Sequence, residues 1–313
     1  MLMYLARRIA AVVPVIMIVA VLVFLMLRLT PGDPAAVIAG NSASDADIAQ
    51  IRSELGLDRP IAAQFFIWAG KMVTGNFGES FFYKKSVASL IVDRLEPTLA
   101  LAISTILLAT FVSVPLGAWA AHRQGSWVDR AVMGFSVLGF PVPVFIIGYL
   151  LIYVFSVQLG WFPVQGYQRL ADGFGGFAYR LVLPSVALSI VYIALLARMT
   201  RASVLEVLGE DYIRTARAKG LSPTRVLVRH ALRSAAVPIV TVIGISVALL
   251  IGGVVVTESV FNIPGLGRLT VDAVLARDYP TVQAVVLLFS LTYVAINLAI
   301  DLVYLALDPR IRY

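Results

Sequence analysis

Six stretches of this 313-residue chain run for seventeen residues or more without one Asp, Glu, Lys or Arg: Ile9–Leu27, Pro97–Ala121, Ala131–Val157, Leu181–Ala197, Ala235–Thr257 and Thr281–Ile300. A bilayer core about 30 Å thick takes about 20 apolar residues to cross as a helix. Inside it every backbone N–H and C=O must be satisfied within the span. Leu181–Ala197 is the shortest, and the stems of Arg198 and Arg201 can snorkel to extend it. In Ile9–Leu27, thirteen of nineteen residues are Val, Ile, Leu or Phe, worth at most about 4–8 kcal/mol of insertion free energy. This run exceeds the 7–15 residues of a signal-peptide core, so it is expected to remain in the membrane. With 60% hydrophobic and 14% charged residues, the fold expected is an all-α polytopic membrane protein of six transmembrane helices.

The charges divide the remainder. Residues 1–29 give a short basic N-terminus and the first helix, with Arg28 at its outer interface. Residues 30–96 give an extracytoplasmic insertion, and residues 97–313 a five-helix core with a long loop at 198–236. The insertion opens on the helix-breaking Thr30-Pro31-Gly32-Asp33-Pro34. Ser44 with Asp47 fits a capping box for one short helix ended by Gly56, and Asp58-Arg59-Pro60 opens a second. Phe65 and Trp68 on the second helix suit either internal packing or contact with a partner. Placing both termini in the cytoplasm puts fourteen of the 25 Lys and Arg on the inner side, against six acids. That asymmetry fixes the orientation. It also explains the net charge of +7 better than nucleic acid does, because the basic residues sit at span ends rather than on one basic, aromatic surface.

The loop at 198–236 is strongly cationic, with eight Lys and Arg between Arg198 and Arg233 against Glu206, Glu210 and Asp211. Its pattern predicts two short helices meeting at a corner. Lys219 falls in a last turn, Gly220 can take the left-handed conformation, Ser222 can cap and Pro223 suits a first helical position. Leu205, Leu208, Tyr212, Ile213 and Ala216 recur at helical spacing as a buried face, with Arg214 and Arg217 pointing elsewhere. Periodicity fits equally a helix resting on anionic membrane lipid and one that docks a protein. In the third span, Gly139-Phe140-Pro141-Val142-Pro143 breaks the helix, giving either a packing kink or a lining for a pathway. Gly244, Gly252 and Gly253 suggest close helix approach in the fifth span.

Several chemistries are excluded. The chain has no cysteine and two isolated histidines, His122 and His230, which leaves no disulfide or thiolate nucleophile and makes a metal site unexpected. It has no phosphate-binding Gly-x-x-x-x-Gly-Lys-Ser/Thr loop, no convergent catalytic constellation and no mid-membrane pair of acids of the kind ion-coupled carriers use. Any energy for transport must come from a partner.

Thr215-Ala216-Arg217-Ala218-Lys219-Gly220-Leu221-Ser222, running on through Arg229-His230-Ala231-Leu232-Arg233 to Val237-Pro238, resembles the cytoplasmic EAA loop of ABC importer permeases. Arg214 stands where the general motif has Glu, and Thr215 where it has the first Ala. Leu55-Gly56-Leu57-Asp58-Arg59-Pro60, Gly75-Asn76-Phe77-Gly78-Glu79-Ser80, Ile263-Pro264-Gly265-Leu266-Gly267-Arg268-Leu269, Arg277-Asp278-Tyr279-Pro280 and the C-terminal Asp308-Pro309-Arg310 extend the likeness over essentially the whole chain. Together they resemble the B-type permease subunit of dipeptide, oligopeptide, nickel or glutathione importers. That resemblance implies a type I importer permease fold in a bacterial inner membrane. It also implies a second, C-type permease, two ATP-binding subunits that alone bind ATP, and an extracytoplasmic substrate-binding protein. The segment expected to couple to the ATPase is Asp211, Tyr212, Arg214, Thr215, Ala216, Arg217, Ala218, Lys219, Gly220 and Leu221. Pro141, Pro143, Glu258 and Asn262 are the candidates for the pathway or its gate. The expected function is half of a translocation pathway for peptides, the alternatives being nickel-chelate or glutathione import by the same mechanism, or a secondary carrier that needs no ATPase.

Overall fold

The structure is a computed structural model and describes residues 2–29, 35–36, 44–54, 56–139 and 141–307. The Thr30–Pro34 turn, Leu55, Phe140 and the C-terminal Asp308-Pro309-Arg310 lie outside the described residues, as do the side chains of Arg7, Arg8, Arg28 and Asp47. The chain is helical, in the order α1 (Leu2–Leu29), α2 (Asp45–Glu54), α3 (Ile61–Val73), α4 (Val87–His122), α5 (Trp127–Gly139), α6 (Val144–Leu151), α7 (Phe174–Leu208), α8 (Asp211–Ala218), α9 (Pro223–Arg225), α10 (Leu232–Ser234), α11 (Ala236–Val260), α12 (Leu266–Leu275) and α13 (Tyr279–Leu307). Two π-helical segments, Ile152–Gln158 and Val226–Ala231, continue α6 and join α9 to α10.

Among the described residues, α4, α7, α11 and α13 are long and apolar enough to cross a membrane, and the pair made by α5 with α6 and its π segment supplies a fifth span bent by 107°. The first uncharged run lies within α1, a single helix of 28 residues. Helices overrun the uncharged runs. α4 starts ten residues before Pro97 and keeps Pro97 and Pro115 inside it, and α7 reaches 35 residues where seventeen were uncharged. Charge marks where hydrocarbon ends, whereas a helix continues as long as its flanking charges find partners. Arg180 donates to the Gln165 carbonyl at 3.2 Å, and Arg201 to Asp129. After the fifth uncharged run α11 continues to Val260, and Leu266–Leu275 forms α12 ahead of the last long helix.

The chain divides into two compact units. One comprises Met1–Arg94 with Leu269–Ala295, and the other Leu95–Arg268 with Ile296–Tyr313. In the first, Phe24 of α1 packs edge-on to Phe65 at 5.2 Å and against Trp68 at 5.6 Å, so Phe65 and Trp68 serve packing. Two separated motifs also meet there at a buried carboxylate. Asp278 accepts the Ser80 hydroxyl, the Phe81 N–H at 3.0 Å and the Thr281 hydroxyl at 2.7 Å. A buried carboxylate is tolerated only when its oxygens are engaged in this way. That requirement ties the Gly75–Ser80 loop to the start of α13.

In the second unit α7 is the central helix, with 67% of its most apolar stretch buried inside the chain. Leu188, Tyr192 and Leu196 of α7 pack with Ile147 of α6, Ile152 of its π segment, and Leu250 and Val254 of α11. Lipid is as apolar as these side chains, so association rests on close packing rather than on transfer from water. Small residues permit it. A Cβ on Gly117 would stand 2.6 Å from the Ala197 carbonyl, and one on Gly253 would stand 2.7 Å from Leu188. Gly244 likewise faces Ile300, but Gly252 faces open space and is no contact point.

Candidate functional site

The cationic loop folds around a small core of its own. Gly209 ends α7 at Leu208, and α8 follows after Glu210. Ile213 and Ala216 turn inward onto Val226 and are flanked by Val207, Leu208 and Leu221. The corner forms at Gly220, whose φ is +80°. The Gly220 N–H bonds to the Arg217 carbonyl at 2.9 Å and the Leu221 N–H to that of Ala216 at 3.4 Å, which closes α8 with a Schellman turn. Ser222 holds the backbone position of a cap but makes no side-chain cap hydrogen bond, and Pro223 starts α9. The expected apolar face differs in one respect. Because the chain bends at Gly209, Tyr212 does not share the face of Leu205 and Leu208, and it is 44% exposed. Asp211, Arg214, Thr215, Arg217, Ala218 and Lys219 are exposed as well. The Arg214–Asp211 pair at 3.2 Å is fully solvated and adds little. Behind α8 a cleft of 470 Å³ opens between the ends of α4 and α7, lined by His122, Leu205, Leu208, Arg217 and Leu221 among others.

Sequence reasoning missed a second feature. Asp129, in the first turn of α5, is 4% exposed and takes a bidentate contact from Arg201 of α7, with Nη2 at 2.8 Å and Nε bonded to the other oxygen. It also accepts the Gly125 N–H at 2.9 Å. The pair fastens the turn between α4 and α5 to α7 two turns before α7 ends. A lone acid between the second and third uncharged runs was the available signal, but its partner is 72 residues away.

The pathway candidates separate. Pro141 and Pro143 stand exposed at the bend between α5 and α6, and Asn262 is exposed with φ +54°. Glu258 instead is fully enclosed. Its carboxylate accepts the Thr98 hydroxyl at 2.6 Å and the Arg268 N–H at 2.9 Å, while the Thr98 oxygen accepts the Leu266 N–H at 2.8 Å. The first turn of α12 thus closes on a carboxylate, which suits the positive end of a helix. Gly265 and Gly267 leave the room: a Cβ on either would collide with Glu258 or with Val255 behind it. This accounts physically for the Ile-Pro-Gly-Leu-Gly-Arg-Leu string. Nearby, Glu96 accepts the Tyr167 hydroxyl at 3.1 Å and the Leu170 N–H at 2.8 Å, and burial together with that carboxylate pushes the Tyr167 phenol well above its usual range.

Comparison with known proteins shows what kind of molecule carries a basic, self-cored loop between long apolar spans. Residues 113–313 match the family described as the binding-protein-dependent transport system inner membrane component, and residues 1–102 match the N-terminal family of the same membrane component. The chain belongs to this family of ABC importer permeases. The permease is 54% identical to the probable peptide ABC transporter permease protein y4tP of Sinorhizobium fredii (strain NBRC 101917 / NGR234), over 99% of both chains. It is 46% identical to the glutathione transport system permease protein GsiC of Escherichia coli (strain K12), over the full length of both. The fold is that of the solved inward-facing MetNI methionine ABC transporter, with a TM-score of 0.58 at 21% identity over 70% of the permease and 96% of that chain. It is therefore a multi-pass inner-membrane permease that works with ATP-binding and substrate-binding partners.

Proposed function

We propose that the permease forms half of the translocation pathway of a peptide importer, driven from the cytoplasm through Asp211–Leu221. The observation that carries this is α8 itself, whose Ile213 and Ala216 anchor it to the permease while Arg214, Arg217 and Lys219 face outward. A short rigid helix fixed at a glycine corner can pass a push from a partner into α7 and α11. Both termini are cytoplasmic, as the excess of Lys and Arg at the inner span ends requires. A homologous second permease completes the pathway, two ATP-binding subunits grip the basic loops, and an extracytoplasmic binding protein delivers the solute. Peptides are the substrate class, supported by the 54% identity to a probable peptide permease. Glutathione, itself a small peptide, is the second reading, favoured by the full-length 46% identity to a glutathione permease. Pro141, Pro143 and Asn262 remain the pathway candidates, and Glu258 holds the neighbouring loop in place.

Ala216→Glu places a carboxylate in the apolar contact with Ile213 and Val226, and Gly220→Pro cannot adopt the positive φ found there. Both variants are expected to reach the membrane in normal amounts, to lose at least about tenfold in ATP-driven uptake, and to lose stimulation of ATP hydrolysis by loaded binding protein. Stimulated hydrolysis at the level of the unaltered complex would show that α8 is not the coupling element.

A further inference from the structure

We infer that α3 lies in the membrane, its outer face covered by lipid of the leaflet that the C-terminal end of α1 reaches. The sequence places residues 30–96 outside the bilayer, yet α3 is built for hydrocarbon on both sides. Its only polar side chains are Gln64 and Lys71. Gln64 turns inward and donates to the carbonyls of Leu57 and Arg59 at 3.2 and 2.7 Å. α3 turns outward Ile61, Phe66, Ile67 and Val73, with Phe66 72% and Val73 89% exposed, and Lys71 near its end is the one charge among them. An apolar face of this kind does not stay open to water.

The depth of α3 follows from what its inner face touches. Phe65 and Trp68 pack on Phe24, which is 1% exposed. Phe24 is three residues inside the end of the uncharged run Ile9–Leu27, hence about 5 Å below the edge of the hydrocarbon at 1.5 Å per residue. The same turn of α1 is held from α13, where Gln283 donates to the Val23 carbonyl at 3.0 Å. Ile18 and Leu22 of α1, 60% and 62% exposed, belong to that same uncharged run and present apolar surface as α3 does. Asp58 and Arg59 before α3 and Lys71 in its last turn place charge at both ends, where long basic side chains can reach the headgroups.

The absence of cysteine makes a clean test possible. Phe66→Cys and Val73→Cys, with Ile18→Cys as a lipid reference and Asn76→Cys as a water reference, would be spin-labelled in the assembled transporter in proteoliposomes. Collisions with oxygen and with a water-soluble nickel chelate are then compared. At 66 and 73 oxygen should exceed nickel by at least about threefold, as at 18, and the order should reverse at 76. Nickel access at 66 and 73 equal to that at 76 would overturn the assignment, and so would labels immobilised and closed to both reagents, which would show that a protein partner covers this face. The readout needs no ATP and no transport, so it stands or falls separately from the coupling role of α8.

Discussion

Arg201→Ala is expected to destabilise the permease by about 1–3 kcal/mol, the cost of leaving an enclosed carboxylate short of its partner when the arginine side of the pair still reaches water. Asp129 is enclosed, and after the substitution it would keep the Gly125 N–H but lose both guanidinium contacts. Asp129→Ala should cost less, because the Arg201 side chain is 20% exposed and can still be solvated. The double variant should be less harmful than the two single effects added together, because neither charge is then left unpaired. Thermal unfolding of the purified permease, followed through its four tryptophans, measures all three. Additive losses, or an Arg201→Ala protein as stable as its parent, would show that the pair is not what joins the α4–α5 turn to α7.

The second large effect belongs to Glu258. Glu258→Ala removes the carboxylate to which the Thr98 hydroxyl and the Arg268 N–H donate, at about 1.5–3 kcal/mol for each hydrogen bond to a charged group that is lost. It also leaves a void against Gly265 and Gly267. The first turn of α12 should loosen, seen as faster amide exchange at Leu266 and Arg268, and transport should fall severely. Glu258→Gln keeps an acceptor for one of the two donors and should be clearly milder. If both substitutions left exchange unchanged while abolishing uptake, Glu258 would be meeting the solute rather than holding the loop.

Features that depend on composition over many residues were legible in the sequence, and features that depend on a single distant partner were not. The uncharged runs located the long apolar helices, the proline pair at 141 and 143 located the bend, and Gly220 located the corner of the cationic loop. Each of these is decided by solvent or by local backbone sterics. α7 runs past its uncharged run because Arg180 and Arg201 find partners that let the helix continue beyond the hydrocarbon, and α4 starts ahead of its run where Glu96 is held by Tyr167 and Leu170. Tyr212 was misplaced because one bend at Gly209 resets the helical phase. Glu258 read as a pathway residue because an acid at the end of a span looks exposed until Thr98, 160 residues earlier, is brought beside it. Ser80 and Asp278 each fell within a motif, but neither motif revealed that it bonds to the other.

Reconstitution bears most directly on whether this permease is a passive gate worked by a separate motor. The permease and its partner permease, placed in proteoliposomes with loaded binding protein, should accumulate no labelled peptide until the ATP-binding subunits and ATP are added, and should then do so at a rate that Ala216→Glu abolishes. Accumulation of peptide against a gradient by the two permeases alone would contradict this.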